Sequence, residues 1–156
     1  AMRQTTLFTS VLPVLSSFAG FRIVAVIRHP VALCLSWLRL SQPLLSQGNP
    51  PGIARFWPEA LAALQGGNLL EQYVALYELY VQRYHALGDA VTVLRHEDVL
   101  ADPLCVSRLL GREDVPKAVA RLQPVAPMQA SAQAEALQQL FRKTGVYAKL
   151  YYPDLR

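Results

Sequence analysis

The sequence has few cysteines, no cluster of charge and no long uninterrupted apolar run. Cys34 and Cys105 form no CxxC pattern, so we expect a free, buried pair in a reducing compartment and no zinc site. The net charge of +4 is mild and unclustered, which argues against nucleic-acid binding. Prolines and polar residues interrupt residues 11–37, which argues against a membrane span and a signal peptide. We therefore predict a cytoplasmic protein.

Apolar residues are abundant enough for one folded domain. They make up 53% of the chain, so we expect a single core and one domain over residues 1–156. Helical periodicity predicts helices at residues 5–18, 30–40, 53–64, 68–87, 102–110, 115–122 and 131–144, with a loop at 41–52. On the longest of these, Tyr73, Tyr77, Tyr80 and Tyr84 share one face, which predicts core packing.

Residues 21–27 and 91–94 are short, β-branched and apolar on both faces, the pattern of buried strands. Two strands separated by long helices predict an α/β fold, with a parallel sheet flanked by helices. Two strands alone do not make a stable sheet, so we expect either further edge strands or a part of the sheet outside this chain. An exposed sheet edge also predicts a homodimer.

The strongest candidate site follows the first strand, where Arg28 is followed by Pro30, suited to a helix start, and by Ser36. In an open α/β sheet, anions bind at the carboxyl ends of strands and at helix N-termini. A guanidinium and a hydroxyl together suit a phosphate monoester. Two alternatives stay open: Arg28 pairs with Glu97 or Asp98, and the Ser36 hydroxyl bonds within its own turn.

Two segments resemble the sulfotransferases. Residues 28–36 (RHPVALCLS), which follow IVAVI, resemble the 3′-phosphate-binding signature of that family. Residues 91–103 (VTVLRHEDVLADP) resemble a later strand and acidic segment of the same family. The resemblance implies a P-loop-NTPase-like fold and binding of 3′-phosphoadenosine 5′-phosphosulfate (PAPS), with Arg28 and Ser36 on the 3′-phosphate. It also implies sulfonate transfer to a hydroxyl or amine of a small-molecule or glycan acceptor. His29 departs from the family, which usually has Asp or Asn there.

The glycine-rich loop that cradles the 5′-phosphosulfate in that family has no match in this sequence. Such a loop supplies most of the electrostatic catalysis, so we expect an incomplete donor site unless an upstream segment provides it. One alternative is a non-catalytic nucleotide-binding or interaction domain that is a truncated relative of the sulfotransferases. Another is an unrelated phosphate-binding α/β protein.

Four further residues are weaker candidates. Arg142 and Lys143 faintly resemble a late phosphate contact of the cytosolic sulfotransferases, although a basic last turn is also how helices ordinarily end. His85 and His96 are candidate general bases for an acceptor hydroxyl. We expect His85 on a helix surface and His96 hydrogen-bonded near a strand end. The sequence predicts no metal ligands.

Overall fold

The structure, a computed structural model, describes residues 5–18, 20, 23–40, 50–109, 111 and 130–155. Helices form most of this part of the chain. In chain order the elements are α1 (Thr5–Leu15), β1 (Ile23–Ile27), α2 (Pro30–Leu38), α3 (Pro50–Phe56), α4 (Pro58–Ala62), α5 (Leu69–Ala86), β2 (Val91–Arg95), α6 (His96–Ala101), α7 (Cys105–Leu109), α8 (Ala132–Thr144) and α9 (Ala148–Tyr151). Short 3₁₀ turns lie at Gly88–Ala90 and Pro153–Leu155. Among these helices, none is long and apolar enough to cross a membrane.

The two strands are parallel neighbours, paired from Ile23 opposite Val91 to Ile27 opposite Arg95. Helices α2 to α5 lie between them in the chain, so the connection is the long crossover that parallel strands require. The predicted α/β class with a parallel sheet is confirmed at this coarse level. In the described residues the sheet has two strands, and Val26 on β1 is 49% exposed.

Helix α5 lies at the centre of the core, and its start and its buried face both follow the sequence pattern. The Asn68 side chain accepts the backbone N–H groups of Leu70 and Glu71, and the Glu71 carboxylate accepts the Asn68 N–H at 2.9 Å. Such a capping box satisfies donors that a helix start leaves unpaired. The predicted core face is confirmed, because its four regularly spaced tyrosines are buried: Tyr73, Tyr77, Tyr80 and Tyr84.

Prolines move two helix boundaries away from the prediction. The single helix predicted over residues 53–64 is instead α3 and α4, separated at Trp57, whose φ is −155°. Pro58 explains the break, because a proline ring disfavours the helical conformation of the residue before it. Helix α3 begins at Pro50, inside the loop predicted over residues 41–52. The helix predicted over residues 115–122 lies outside the described residues.

Helix α6 is not predicted by the sequence pattern, because residues 95–98 are polar and show no apolar periodicity. Glu97 and Asp98 lie in its first turn, where carboxylates interact favourably with the helix dipole. The helix expected over residues 102–110 begins only at Cys105. Cys105 is half-buried, so the expected buried pair of cysteines is wrong for this residue. Cys34 is fully buried, which raises the pKa of its thiol.

Arg83 of α5 connects α1 and α3 through their backbone carbonyls. Its Nη1 donates to the carbonyls of Thr9 at 3.3 Å and Ser10 at 3.0 Å, and its Nη2 lies 3.4 Å from the Phe56 carbonyl. Pro13 explains the free carbonyl of Thr9, because a proline lacks the N–H that would bond the carbonyl four residues earlier. Arg83 therefore supplies the donor that Pro13 cannot give to the Thr9 carbonyl, and it joins α1 to the end of α3.

Candidate anion-binding site at the strand ends

Arg28 follows the last residue of β1 and is half-buried. Its carbonyl accepts the Tyr77 hydroxyl at 2.9 Å, so the buried face of α5 fixes the backbone at this point. Across the described part of the chain, no carboxylate pairs with the Arg28 guanidinium. A guanidinium without an anionic partner is a cation that an oxyanion ligand can bind.

The alternative in which Arg28 pairs with Glu97 or Asp98 is wrong, because both carboxylates have other partners. Asp98 accepts two hydrogen bonds from Arg95, at 2.8 Å from Nε and 2.6 Å from Nη2. The Arg95 guanidinium lowers the pKa of the Asp98 carboxyl through these bonds. Of the two arginines at the strand ends, Arg95 is neutralised and Arg28 is not.

Glu97 joins both strand ends to the C-terminal segment. Its Oε1 accepts the backbone N–H of His29 at 3.0 Å, and its Oε2 accepts the Tyr152 hydroxyl at 2.9 Å. Partial burial opposes the charge on Glu97, but the hydrogen bonds from His29, from its own backbone and from Tyr152 outweigh burial and lower its pKa. Burial and the Glu97 carboxylate raise the pKa of Tyr152, which therefore remains a donor.

Because the pKa of Glu97 is lower in the folded state, its contribution to stability should be complete above the ordinary carboxyl pKa of 4.5 and should disappear as the pH falls through the folded value. We expect Glu97→Gln to lower the free energy of unfolding by about 1 kcal/mol at neutral pH. Urea unfolding of both proteins should show the difference shrinking below pH 4.5. Asp89→Asn, at an exposed carboxylate, is the control. A difference that is the same in acid and at neutral pH would contradict this assignment.

Ser36 lies in the second turn of α2, and its hydroxyl donates to the Leu33 carbonyl at 2.6 Å. The hydrogen bond within its own turn, one of the two alternatives, is therefore observed, and a role for Ser36 at an anion held by Arg28 stays a prediction. Hydroxyls in helices commonly bond a carbonyl three or four residues earlier. Ser36 would contribute a donor to a ligand only after releasing Leu33.

Residues from the chain end complete the surroundings of Arg28. The Asp154 Oδ2 lies 3.1 Å from the His29 Nε2, and the His29 ring packs edge to face on Tyr152 with centroids 5.1 Å apart. His29 and Asp154 are 125 positions apart, so no local sequence pattern indicates their contact. Tyr77, Tyr152 and Asp154 all contact residues 27–29 from distant positions in the chain, so the sequence did not indicate them.

Of the four weaker candidates, His96 lies at the strand ends, and the other three lie on α5 and α8. His85 is exposed near the end of α5, as expected, with its ring 5.8 Å from the Tyr147 ring. His96 begins α6 at the strand ends, but its Nδ1 is buried without a hydrogen-bond partner among the described residues, so the expected hydrogen bond is wrong at that atom. Arg142 and Lys143 are exposed in the last turn of α8.

Comparison with protein-family models, with curated proteins and with solved structures gives no match for this chain. Among the described residues, no group of three or more His, Cys, Asp or Glu side chains is placed to hold a metal ion. At the strand ends, the Arg28 guanidinium is a cation without a carboxylate partner among the described residues.

Proposed function

We propose that this domain binds the 3′-phosphate of a 3′-phosphoadenosine nucleotide through Arg28, as part of a protein similar to the sulfotransferases. In that proposal the donor is PAPS, and its sulfonate group moves to a hydroxyl or amine of a small-molecule or glycan acceptor. The single observation that carries the proposal is that Arg28, a half-buried residue directly after β1, has no carboxylate partner for its guanidinium in the described part of the chain.

The relative position of the two motifs also supports the proposal. The segment that begins at Arg28 follows β1, and the acidic segment at residues 95–103 begins in the last residue of β2, the neighbouring parallel strand. Parallel strands present their carboxyl ends at one edge of the sheet, which is where open α/β sheets bind nucleotides. Pro30 begins α2 there, and the first N–H groups of a helix favour an anion.

Calorimetric titration with adenosine 3′,5′-bisphosphate tests the proposal. We expect Arg28→Ala to weaken binding about 30-fold, or about 2 kcal/mol, because a charge-assisted hydrogen bond to phosphate is lost. Arg28→Lys should recover part of that loss, since lysine retains the charge but not the planar fork. Arg39→Ala removes the same charge at the opposite end of α2 and is the matched control. Equal affinities for wild type, Arg28→Ala and Arg39→Ala would refute the proposal.

A second candidate, nucleotide binding without sulfonate transfer, is favoured by the state of the carboxylates at the strand ends, which leaves His96 as the candidate general base there. Glu97 accepts hydrogen bonds on both oxygens, and Asp98 is paired with Arg95. Asp154 is paired with His29. Incubation with PAPS and a mixture of phenol and amine acceptors distinguishes the two candidates. Release of adenosine 3′,5′-bisphosphate that depends on acceptor would favour transfer, and binding without release would favour the second candidate.

A further inference from the structure

A cavity of about 300 Å³ lies between α1, α4 and α5. Its apolar lining includes Pro13, Trp57 and Leu79, and its polar lining includes Glu59 and Arg83. Cavities that bind small organic ligands are mostly apolar, with a few placed polar groups, and about 300 Å³ is the lower end of their range. The volume therefore suits a molecule the size of an amino acid.

The cation in this cavity is held in a fixed position. Nη1 of Arg83 is bonded to backbone carbonyls, and the guanidinium lies over the Trp57 ring with 4.5 Å between its carbon and the ring centroid. A guanidinium has five N–H donors, and Nε makes no hydrogen bond to the described residues. The Nε–H of Arg83 is therefore a donor without an acceptor among the described residues.

The cavity also carries a carboxylate that does not neutralise this cation. Burial lowers the pKa of Arg83, and the charge of Glu59 acts in the opposite direction, so the two groups are near enough to interact. They nevertheless form no salt bridge, because no guanidinium nitrogen of Arg83 lies within 4.0 Å of a carboxylate oxygen of Glu59. One positive and one negative group, close but unpaired, are complementary to a ligand with both charges.

We propose that this cavity binds an α-amino acid with an apolar side chain, its carboxylate at Arg83 and its ammonium group at Glu59. The side chain contacts the apolar lining formed by Trp57, Leu79 and Leu87. This site is separate from the strand ends, and the inference does not depend on the nucleotide proposal. A purely anionic ligand is disfavoured because Glu59 would repel it, and a purely cationic one because Arg83 would.

Two-dimensional NMR of the whole chain with L-phenylalanine tests the inference, with the Trp57 indole N–H as the reporter. Comparison with Trp37→Phe assigns that signal, because Trp37 and Trp57 are the two tryptophans of the chain. N-acetyl-L-phenylalanine lacks the ammonium charge and L-phenylalanine amide lacks the carboxylate. We expect a saturable shift with phenylalanine, and binding about tenfold weaker for each blocked form, since each loses one charged contact.

Glu59→Gln provides a test that leaves Arg83 and the fold in place, because Glu59 is exposed. In this variant L-phenylalanine should bind no more tightly than N-acetyl-L-phenylalanine, but it should still bind more tightly than L-phenylalanine amide. Ala86→Phe, which fills part of the cavity, should abolish the shift. Equal affinity for the three ligands, no saturable shift in wild type, or an unchanged preference in Glu59→Gln would overturn the inference.

Discussion

Phe141→Ala is expected to lower the free energy of unfolding by about 3 to 5 kcal/mol. Phe141 of α8 is 0% exposed, and its ring packs edge to face on Tyr77 of α5 with centroids 5.5 Å apart. Truncation removes apolar contacts and leaves a cavity that two packed helices close only in part.

The effect of Phe141→Ala should extend to the strand ends. Tyr77 donates its hydroxyl to the Arg28 carbonyl, so a looser Tyr77 should also weaken binding of the nucleotide 3′-phosphate. Urea unfolding measures the first effect and calorimetry the second, with Gln139→Ala on the exposed side of α8 as the control. A loss of stability below about 1 kcal/mol would contradict the assignment of Phe141 to a closely packed core.

Arg83→Met should lower the free energy of unfolding by about 3 kcal/mol, because it removes the donor to the Thr9 and Phe56 carbonyls. Methionine keeps an apolar stem of similar length but loses the hydrogen bonds to Thr9, Ser10 and Phe56 and the contact of the cation with the Trp57 ring. The free energy of unfolding of Arg83→Lys should lie between those of wild type and Arg83→Met. One ammonium group cannot reach all three carbonyls that the planar guanidinium bonds.

A double-mutant cycle with Pro13→Ala isolates the part of this effect that comes from the Thr9 carbonyl. Alanine at position 13 restores the backbone N–H that bonds the carbonyl four residues earlier. Arg83→Met should therefore cost about 1 kcal/mol less in the Pro13→Ala background than in wild type. Strictly additive losses in thermal or urea unfolding would show that Arg83 does not replace the missing proline N–H.

Local chemistry made several elements predictable from the sequence. The Asn68 capping box and the tyrosine stripe of α5 both follow from residue types at fixed spacing, and both are observed. The break at Trp57 was also encoded locally, because Pro58 restricts the residue before it, and apolar periodicity across residues 53–64 concealed that signal. Helix α6 was missed because a six-residue, partly polar helix shows too little periodicity.

The candidate site was predictable only in part. The position of Arg28 after a strand follows from the order of apolar and polar residues, whereas its lack of a carboxylate partner among the described residues depends on contacts that Glu97 and Asp98 make elsewhere. Asp154 approaches His29 across 125 positions of the chain, and no sequence periodicity extends that far. The Ser36 hydroxyl had two possible partners, and only the structure shows that the Leu33 carbonyl accepts its hydrogen bond.

The most direct test of the central claim, that Arg28 holds a 3′-phosphate, compares adenosine 3′,5′-bisphosphate with adenosine 2′,5′-bisphosphate by calorimetry. The two molecules have the same charge and the same base, and differ only in which ribose oxygen carries the phosphate. We predict that wild type prefers the 3′,5′ isomer by about tenfold and that Arg28→Ala loses this preference. Equal binding of both isomers by wild type, or an unchanged preference in Arg28→Ala, would contradict the claim.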